Sequence, residues 1–356
     1  MPPLSAPVCL DVPGYEGPGD AAWPVEAFAI HHPQWAREFD GLTVLHISDL
    51  HARRVVHANA HVDRAGEATR WRRILGGVAS VQPDIVAFTG DYGDGPQHID
   101  AAVSEVVGLA LAARPRLACL GVFGNHDTPA MRAALGRACA VPHPTLAGAP
   151  LVRWIDGPVS VVDGSAESLR VLRVLGMNYP EDPMAAWREE NTGSLGAGRL
   201  GSTGVPLVLM HNPQTLVCLA SLDPAPMVVL AGHTHGGQVR WPIPAGLRSM
   251  RSVRWIAGAA KWLGGEVLAP HTSTDLPGRF ASGCVRIGGT LCCISRGLGD
   301  SVFPAARLHC PRHVPLYSIS RGPFRSGGVI GSELASRHAA ADSQRQPRTI
   351  TSELVW

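Results

Sequence analysis

The sequence predicts an α/β fold, and three observations carry that prediction. Over residues 42–140, short β-branched apolar runs alternate with amphipathic stretches, the rhythm of parallel βαβ units. Beyond about residue 150 the pattern changes to short strands separated by turn residues, which is closer to antiparallel pairing. The apolar runs also end, one after another, in aspartate, asparagine or histidine.

Taken in order, residues 1–40 read as an extension with turns (PGYEGPGD) and some packing around Trp23 and Trp35. Regular structure is expected from Leu42-Thr-Val-Leu-His-Ile47, a buried strand. His61 to Val81 places Val62, Ala65, Ala68, Trp71, Ile74, Leu75 and Val78 at helical spacing. A second strand at Asp84–Thr89 and a helix at Ile99–Ala113 follow, then a strand at Leu117–Phe123 and a helix at Pro129–Ala140. Leu151–Ile155, Val159–Val162 and Leu169–Leu175 are the short strands of the second pattern. Val205–Met210 and Pro226–Leu230 read as central strands, and Cys284–Ile287, Leu291–Ser295 and Val314–Ile319 complete the set. The expected organisation is one domain over 41–321, with a basic, tryptophan-containing insert at about 241–283. A Ser/Arg/Gly-rich tail over 322–356 is expected to be disordered.

Composition narrows the class. Hydrophobic residues make up 45% of the 356 and charged residues 17%, enough for a sizeable core. A net charge of +2 gives no reason to expect specific nucleic-acid binding. The eight cysteines form no CxxC pair, and several sit in apolar runs, as expected of reduced core thiols in a cytoplasmic protein. No cationic start followed by an apolar stretch marks a secretory signal. The uncharged run Val205–Leu222 is broken by His211-Asn-Pro-Gln214, so a membrane span is not expected.

The strand ends carry the chemistry. LHISDLH ends in Asp49 and His51, FTGDYGD in Asp91 and Asp94, and VFGNHD in Asn125, His126 and Asp127. LVLMHNP supplies His211, and LAGHTHGGQ supplies His233 and His235. Strand carboxyl ends form the crevice of α/β sheets, so these side chains are expected to converge. Each motif alone is commonplace. Five in succession, all metal-competent, are not plausibly chance. Carboxylate, amide oxygen and imidazole without thiolate suit Mn²⁺, Fe²⁺/Fe³⁺ or Zn²⁺. Seven ligands (Asp49, His51, Asp91, Asn125, His211, His233 and His235) exceed one tetrahedral ion and match two divalent ions sharing a carboxylate.

DLH, GDYGD, GNHD, LMHNP and GHTHGGQ, in that order, resemble the calcineurin-like metallophosphoesterase superfamily, over Leu42 to about Arg321. GHTHGGQV and the later ISRGLG, with Arg307 beyond, are most similar to a bacterial branch of YkuE- and YaeI-like phosphodiesterases that also holds a lipid A pyrophosphatase. The resemblance implies a four-layer α/β/β/α sandwich. It also implies that Asp49, His51 and His235 hold one metal, that Asn125, His211 and His233 hold the other, and that Asp91 bridges them. His126 would be the catalytic histidine, oriented by Asp94. The implied reaction is hydrolysis of a phosphodiester or pyrophosphate by a metal-bridging hydroxide, on a small-molecule, nucleotide- or lipid-linked substrate. Ser/Thr phosphatases of the superfamily follow the GDxxD aspartate with a phosphate-gripping arginine; Gly95-Pro96 stands there instead, which disfavours a protein phosphatase. A phosphomonoesterase is the alternative within the superfamily. A non-catalytic scaffold is disfavoured because every ligand and His126 are present, and a metallo-β-lactamase fold because no HxHxDH cluster occurs.

Substrate choice points to Gly246–Leu263, where Arg248, Arg251, Arg254 and Lys261 interleave with Met250, Trp255, Ile256 and Trp262. Arg251, Arg254 and Trp255 are the candidate substrate-binding residues of a lid or of a peripheral membrane contact. The bland alternative is a surface helix with solvated arginines. No protein partner is evident from the sequence.

Overall fold

The computed structural model of the chain describes residues 8–10, 25–53, 64–165, 168–180, 204–216, 226–237, 282–299, 310 and 312–328. Two sheets of seven strands face each other. The first is built around β3 (Leu42–Ile47), β4 (Ile85–Thr89) and β5 (Ala118–Val122), paired in parallel. Helices α1 (Arg64–Ala79) and α2 (Ile99–Ala113) connect these strands, and α3 (Pro129–Cys139) follows the last. The helices bury Ile74, Val78, Val106, Leu109 and Leu135 against the outer face of this sheet, with Leu45, Ile47, Val86 and Phe88. This is the expected βαβ register, every connecting segment having enough apolar residues on one side to seal the sheet.

The second sheet holds the hairpin β7 (Gly157–Ser165) and β8 (Ser168–Met177), then β9 (Leu207–Met210), β10 (Val228–Ala231), and the hairpin β11 (Gly283–Ile287) and β12 (Thr290–Ile294). The two hairpins and the pair of β1 (Val8–Leu10) with β11 are antiparallel; β8, β9, β10 and β12 run in parallel. The shared core lies between the sheets, where Val44, Ile85, Ala87, Leu120 and Val122 meet Leu172, Val174, Leu207, Leu209, Val228 and Leu230. Val208, Met210, Val229, Ala231 and Ile294 pack together on the other face of the second sheet, with Leu216 and Met227. That fits a strand buried on both faces, which reads as a continuous apolar run. No α-helix among the described residues packs on that face of the second sheet. Among the described residues no helix is long and apolar enough to cross a membrane, and the six cysteines there with defined burial are free and buried.

Two boundaries are corrected. Regular structure does not begin at Leu42: β2 (Val25–His32) lies in the first sheet, parallel to β13 (Val314–Arg321) over its whole length, and β1 (Val8–Leu10) pairs with β11. The cause is an alternation in VEAFAIHH that buries Phe28, Ile30 and His32 in turn. Downstream, Trp35 and Phe39 are buried as well. Part of the tail expected from 322 is likewise ordered, because β14 (Arg325–Gly328) pairs with β2 as an edge strand. Its sequence, RSGG, has no apolar pattern to reveal it. The insert expected at 241–283 falls almost wholly outside the described residues.

Candidate metal centre

The strand ends do converge, with one difference from an open-sheet crevice: they come from both sheets. β3, β4 and β5 deliver Asp49, His51, Asp91, Asn125 and His126 from one side, and β9 and β10 deliver His211, His233 and His235 from the other. Asp49, His51, Asp91 and His235 each offer an atom within 4.8 Å of the others, and Asp91, His211 and His233 do the same. Asn125 Oδ1 lies 3.0 Å from His211 Nε2 and 2.9 Å from His233 Nδ1. Asp91 is common to both groups, and Asn125 lies beside the second. Arg251, Arg254 and Trp255 lie outside the described residues, as does Arg307.

The backbone reaches this arrangement through strained conformations. Asp49, His51, Asp91, His233 and His235 all have positive φ, between 42° and 69°, although none is glycine. Each such residue costs on the order of 1–3 kcal/mol and persists only where its surroundings over-determine it. Here they do. Asp127, left without a role by the sequence, accepts hydrogen bonds from the N–H groups of Asp91, Tyr92 and Gly124 at 2.9, 2.8 and 2.7 Å. Arg132 donates to the carbonyls of Asp127 and Gly124, locking the GNHD loop. Ser48 donates to Asp49 at 2.6 Å, and the N–H of His233 donates to Asp49 across the sheets at 2.9 Å. Close approach is the other requirement. A Cβ on Gly124 would meet the Asp91 carboxylate and come within 2.9 Å of His211; one on Gly232 would meet Ser48 Oγ and Asp49 Oδ2.

The donor set fits divalent cations on three counts. His51 Nε2 is buried and has no hydrogen-bond partner, while its Nδ1–H donates to Asp94 at 2.5 Å. His211 Nδ1–H donates to the Thr89 carbonyl at 2.7 Å, which turns Nε2 toward Asp91, 3.1 Å away. Anchoring the far imidazole nitrogen in this way is what metal-binding histidines require. Finally, His211 Nε2 and His233 Nδ1 approach to 3.2 Å, two nitrogens whose lone pairs need a shared positive charge.

The electrostatics agree. Burial opposes ionisation of Asp91, but the imidazoles of His211, His51 and His126 outweigh it and hold the carboxylate below its usual range. Burial pulls His211 down, yet Asp91 and Asp49 push it up to about 10. Burial and the adjacent His211 lower His233 to about 4. Burial also raises Asp49, with His211 acting against it. Asp91 is thus held ionised and His233 neutral, whereas the surrounding carboxylates favour a proton on His211, which a bound cation would displace.

His126 stands apart. Its side chain is 37% exposed, its N–H donates to Asp91 at 2.9 Å, and its Nδ1 is 3.5 Å from Asp94. The orienting role expected of Asp94 is therefore shared, since its shorter contact is to His51. Arg53, which the sequence did not single out, reaches the other Asp94 oxygen at 2.7 Å. Burial would raise the Asp94 carboxyl, but His51 and Arg53 hold it below its ordinary value. The ISRGLG segment also finds its place: Gly299 N–H donates to the Asp49 carbonyl at 2.6 Å, and Leu298 N–H to that of Ser48 at 3.2 Å.

Comparison with known proteins gives the same answer. The chain is 25% identical to the metallophosphoesterase YkuE of Bacillus subtilis (strain 168) over 276 residues, covering 77% of each chain. It is 27% identical to the metallophosphoesterase YkoQ of the same organism over 214 residues, which covers 59% of this chain and 66% of that one. Residues 42–237, more than half of the chain and the span that carries all seven converging side chains, match the calcineurin-like phosphoesterase family. The chain belongs to that family and is a metal-dependent phosphoesterase.

Proposed function

We propose that the protein hydrolyses a phosphodiester or pyrophosphate bond at a binuclear centre. Asp49, His51 and His235 would hold one ion, Asn125, His211 and His233 the other, and Asp91 both. The observation that carries this reading is the buried Asp91 carboxylate, shared by two groups of nitrogen and oxygen donors that come from different sheets. Bound divalent cations supply Lewis acidity, neutralising phosphoryl oxygens and acidifying water. The chain's own residues do the rest. The left-handed strand ends fix the ligands before substrate arrives, so little reorganisation accompanies the reaction. Asp94 holds His126 at the open side of the site, where the imidazole can donate a proton to a departing oxygen. Gly95-Pro96, in place of the arginine that grips a terminal phosphate, supports a substrate esterified on both sides.

The discriminating assay compares bis-p-nitrophenyl phosphate with p-nitrophenyl phosphate, with added Mn²⁺ and with chelator. Faster, chelator-sensitive cleavage of the diester, abolished by Asp91→Asn, is the expected result. Preference for the monoester would favour a phosphomonoesterase. Failure to cleave either with any metal, together with an Asp91→Asn variant identical to wild type, removes the reading. Native metal among Mn²⁺, Fe²⁺/Fe³⁺ and Zn²⁺ is assigned by elemental analysis of the purified protein. The lipid-facing reading of the 246–263 segment is tested by sedimentation with anionic vesicles, in which Arg251→Glu with Trp255→Ser should release the protein.

A further inference from the structure

We infer that Cys284 and Cys293 are a disulfide-forming pair that staples the β11–β12 hairpin when a low-molecular-weight disulfide is present. β11 and β12 pair antiparallel around a turn at Gly288 and Gly289, and their register sets Cys284 directly opposite Cys293. In a hairpin closed by such a short loop the residues flanking the loop, here Ile287 and Thr290, exchange hydrogen bonds, and bonded and non-bonded pairs alternate outward from them. Counting outward makes 284 and 293 a non-hydrogen-bonded pair. Side chains come closest at such positions, where Cα atoms are about 4.5 Å apart, inside the range of about 4.4–6.8 Å that a disulfide spans. The two thiols use that closeness: their sulfurs lie 3.1 Å apart. Loss of the two hydrogens and a small side-chain rotation would close the bond, about 2.05 Å long. Cys292, although next to Cys293, faces the other way. It packs with Val285 and Ile294 on the far face of the second sheet, whereas Cys284 and Cys293 both enter the inter-sheet core.

The reaction is thiol–disulfide exchange, and the order of steps follows from position. Cys284 is 2% exposed and Cys293 0%, so a reagent reaches them when the hairpin lifts from the core. β12 lies between β11 and β10, whereas the other neighbour of β11 is the three-residue strand β1. Cys284 is therefore the thiol that reacts first. Its sulfur bonds to one sulfur of a small disulfide and the other leaves as a thiol: Cys284–SH + RS–SR → Cys284–S–SR + RSH. Cys293 then attacks the Cys284 sulfur and expels the second thiol: Cys284–S–SR + Cys293–SH → Cys284–S–S–Cys293 + RSH. Two electrons and two protons pass from the protein thiols to the small disulfide, which ends as two thiols. The bond restricts the unfolded chain and fixes the hairpin from which the 295–299 segment departs. Leu298 and Gly299 of that segment donate to the carbonyls of Ser48 and Asp49, so the staple sits one strand end away from the metal site.

Peptide mapping of the full chain tests this. Reduced protein is incubated with oxidised glutathione in urea concentrations up to the foot of the unfolding transition, its remaining thiols are alkylated, and it is digested with trypsin. Arg286 separates the two cysteines, so the expected product is peptide 280–286 joined to peptide 287–296, lighter than the two reduced peptides by two hydrogens. Fragmentation should place the link on Cys293. Cys292→Ser should still cross-link, and neither Cys284→Ser nor Cys293→Ser should; the wild-type map stands by itself if a variant fails to fold. Calorimetry of the oxidised protein should give a Tm several degrees above that of the reduced protein, and dithiothreitol should reverse the gain. Linkage through Cys292 or any other cysteine, or thiols that stay reduced through the whole urea series, overturns the pair. A link between Cys284 and Cys293 that leaves Tm unchanged or lowers it overturns the staple.

Discussion

Apart from Arg114 at the end of α2, every non-glycine residue with positive φ among the described residues belongs to the metal site. Strain is concentrated where the chain must turn ligands inward within one or two residues of a strand end. The glycines at this site set the tolerance. Gly124→Ala places a methyl group against the Asp91 carboxylate and His211. It should lower both metal content and kcat/KM by more than about tenfold, since a displacement of roughly 1 Å in a catalytic site costs about that much or more. A variant that keeps full metal content would show that the loop relaxes freely. His126→Ala separates the chemical role from metal retention. Activity should fall by about 10²- to 10⁴-fold, the range for a general acid, while elemental analysis shows the ions still bound. His46 gives the pH prediction. It is fully buried, hydrogen-bonded to Thr89 at 2.8 Å, and burial lowers its pKa from 6.5 to about 3. A histidine depressed in the folded state favours folding fully above its unfolded pKa. That contribution fades as pH falls from about 6.5 toward 3, by up to about 1.4 kcal/mol per pH unit. Urea titrations of His46→Leu between pH 7 and 5 should show a shallower loss of stability than wild type, whatever the offset at pH 7. Parallel slopes would remove His46 as a cause of acid lability.

Among the elements, those that position the site were legible in the sequence, while β1, β2 and β14 were not. The apolar run and the polar exit of β3, β4, β5, β9 and β10 are adjacent in sequence, so one stretch reveals both the strand and its ligands. β2 was hidden because its alternation mixes Glu26, His31 and His32 with Phe28 and Ile30, behind a turn-rich segment that reads as an extension. β14 was hidden because two glycines, a serine and an arginine carry no periodicity. Arg53 escaped notice for a related reason: its partner Asp94 is distant in sequence and meets it only through backbone pairing between strand extensions. The hidden β2 has a measurable consequence. It lies between β13 and β14, with Ile30 fully buried in the inter-sheet core, so it is structural and not a dispensable extension. Deleting residues 1–33 should yield insoluble or unfolded protein, and Ile30→Ala should destabilise by about 2–5 kcal/mol. A deletion variant with a native circular dichroism spectrum and cooperative melting would restore the extension reading.

For the whole molecule, the division of the proposed ligands between two sheets would tie metal binding to stability. Asp49, His51, Asp91 and Asn125 belong to one sheet, and His211, His233 and His235 to the other. The sheets also meet through non-directional apolar packing and through polar links such as His233 N–H to Asp49, Arg296 to Glu26 at 2.5 Å and Arg116 to Asp163 at 3.0 Å. An ion held from both sides binds only when the sheets are in register, so its binding free energy counts toward folding. At a free concentration of 100 times its dissociation constant, one ion adds about 2.7 kcal/mol, which for a chain of this size raises the melting temperature by several degrees. Mn²⁺ should therefore raise the Tm of wild type in calorimetry, and chelator should reverse the gain. Removing a ligand from either sheet should have the same effect: both Asp91→Asn and His211→Ala should abolish most of the rise. If His211→Ala kept the full gain while Asp91→Asn lost it, the ions would be held by the first sheet alone. The second sheet would then contribute walls to the cleft and no ligands, and the binuclear assignment would fall with it.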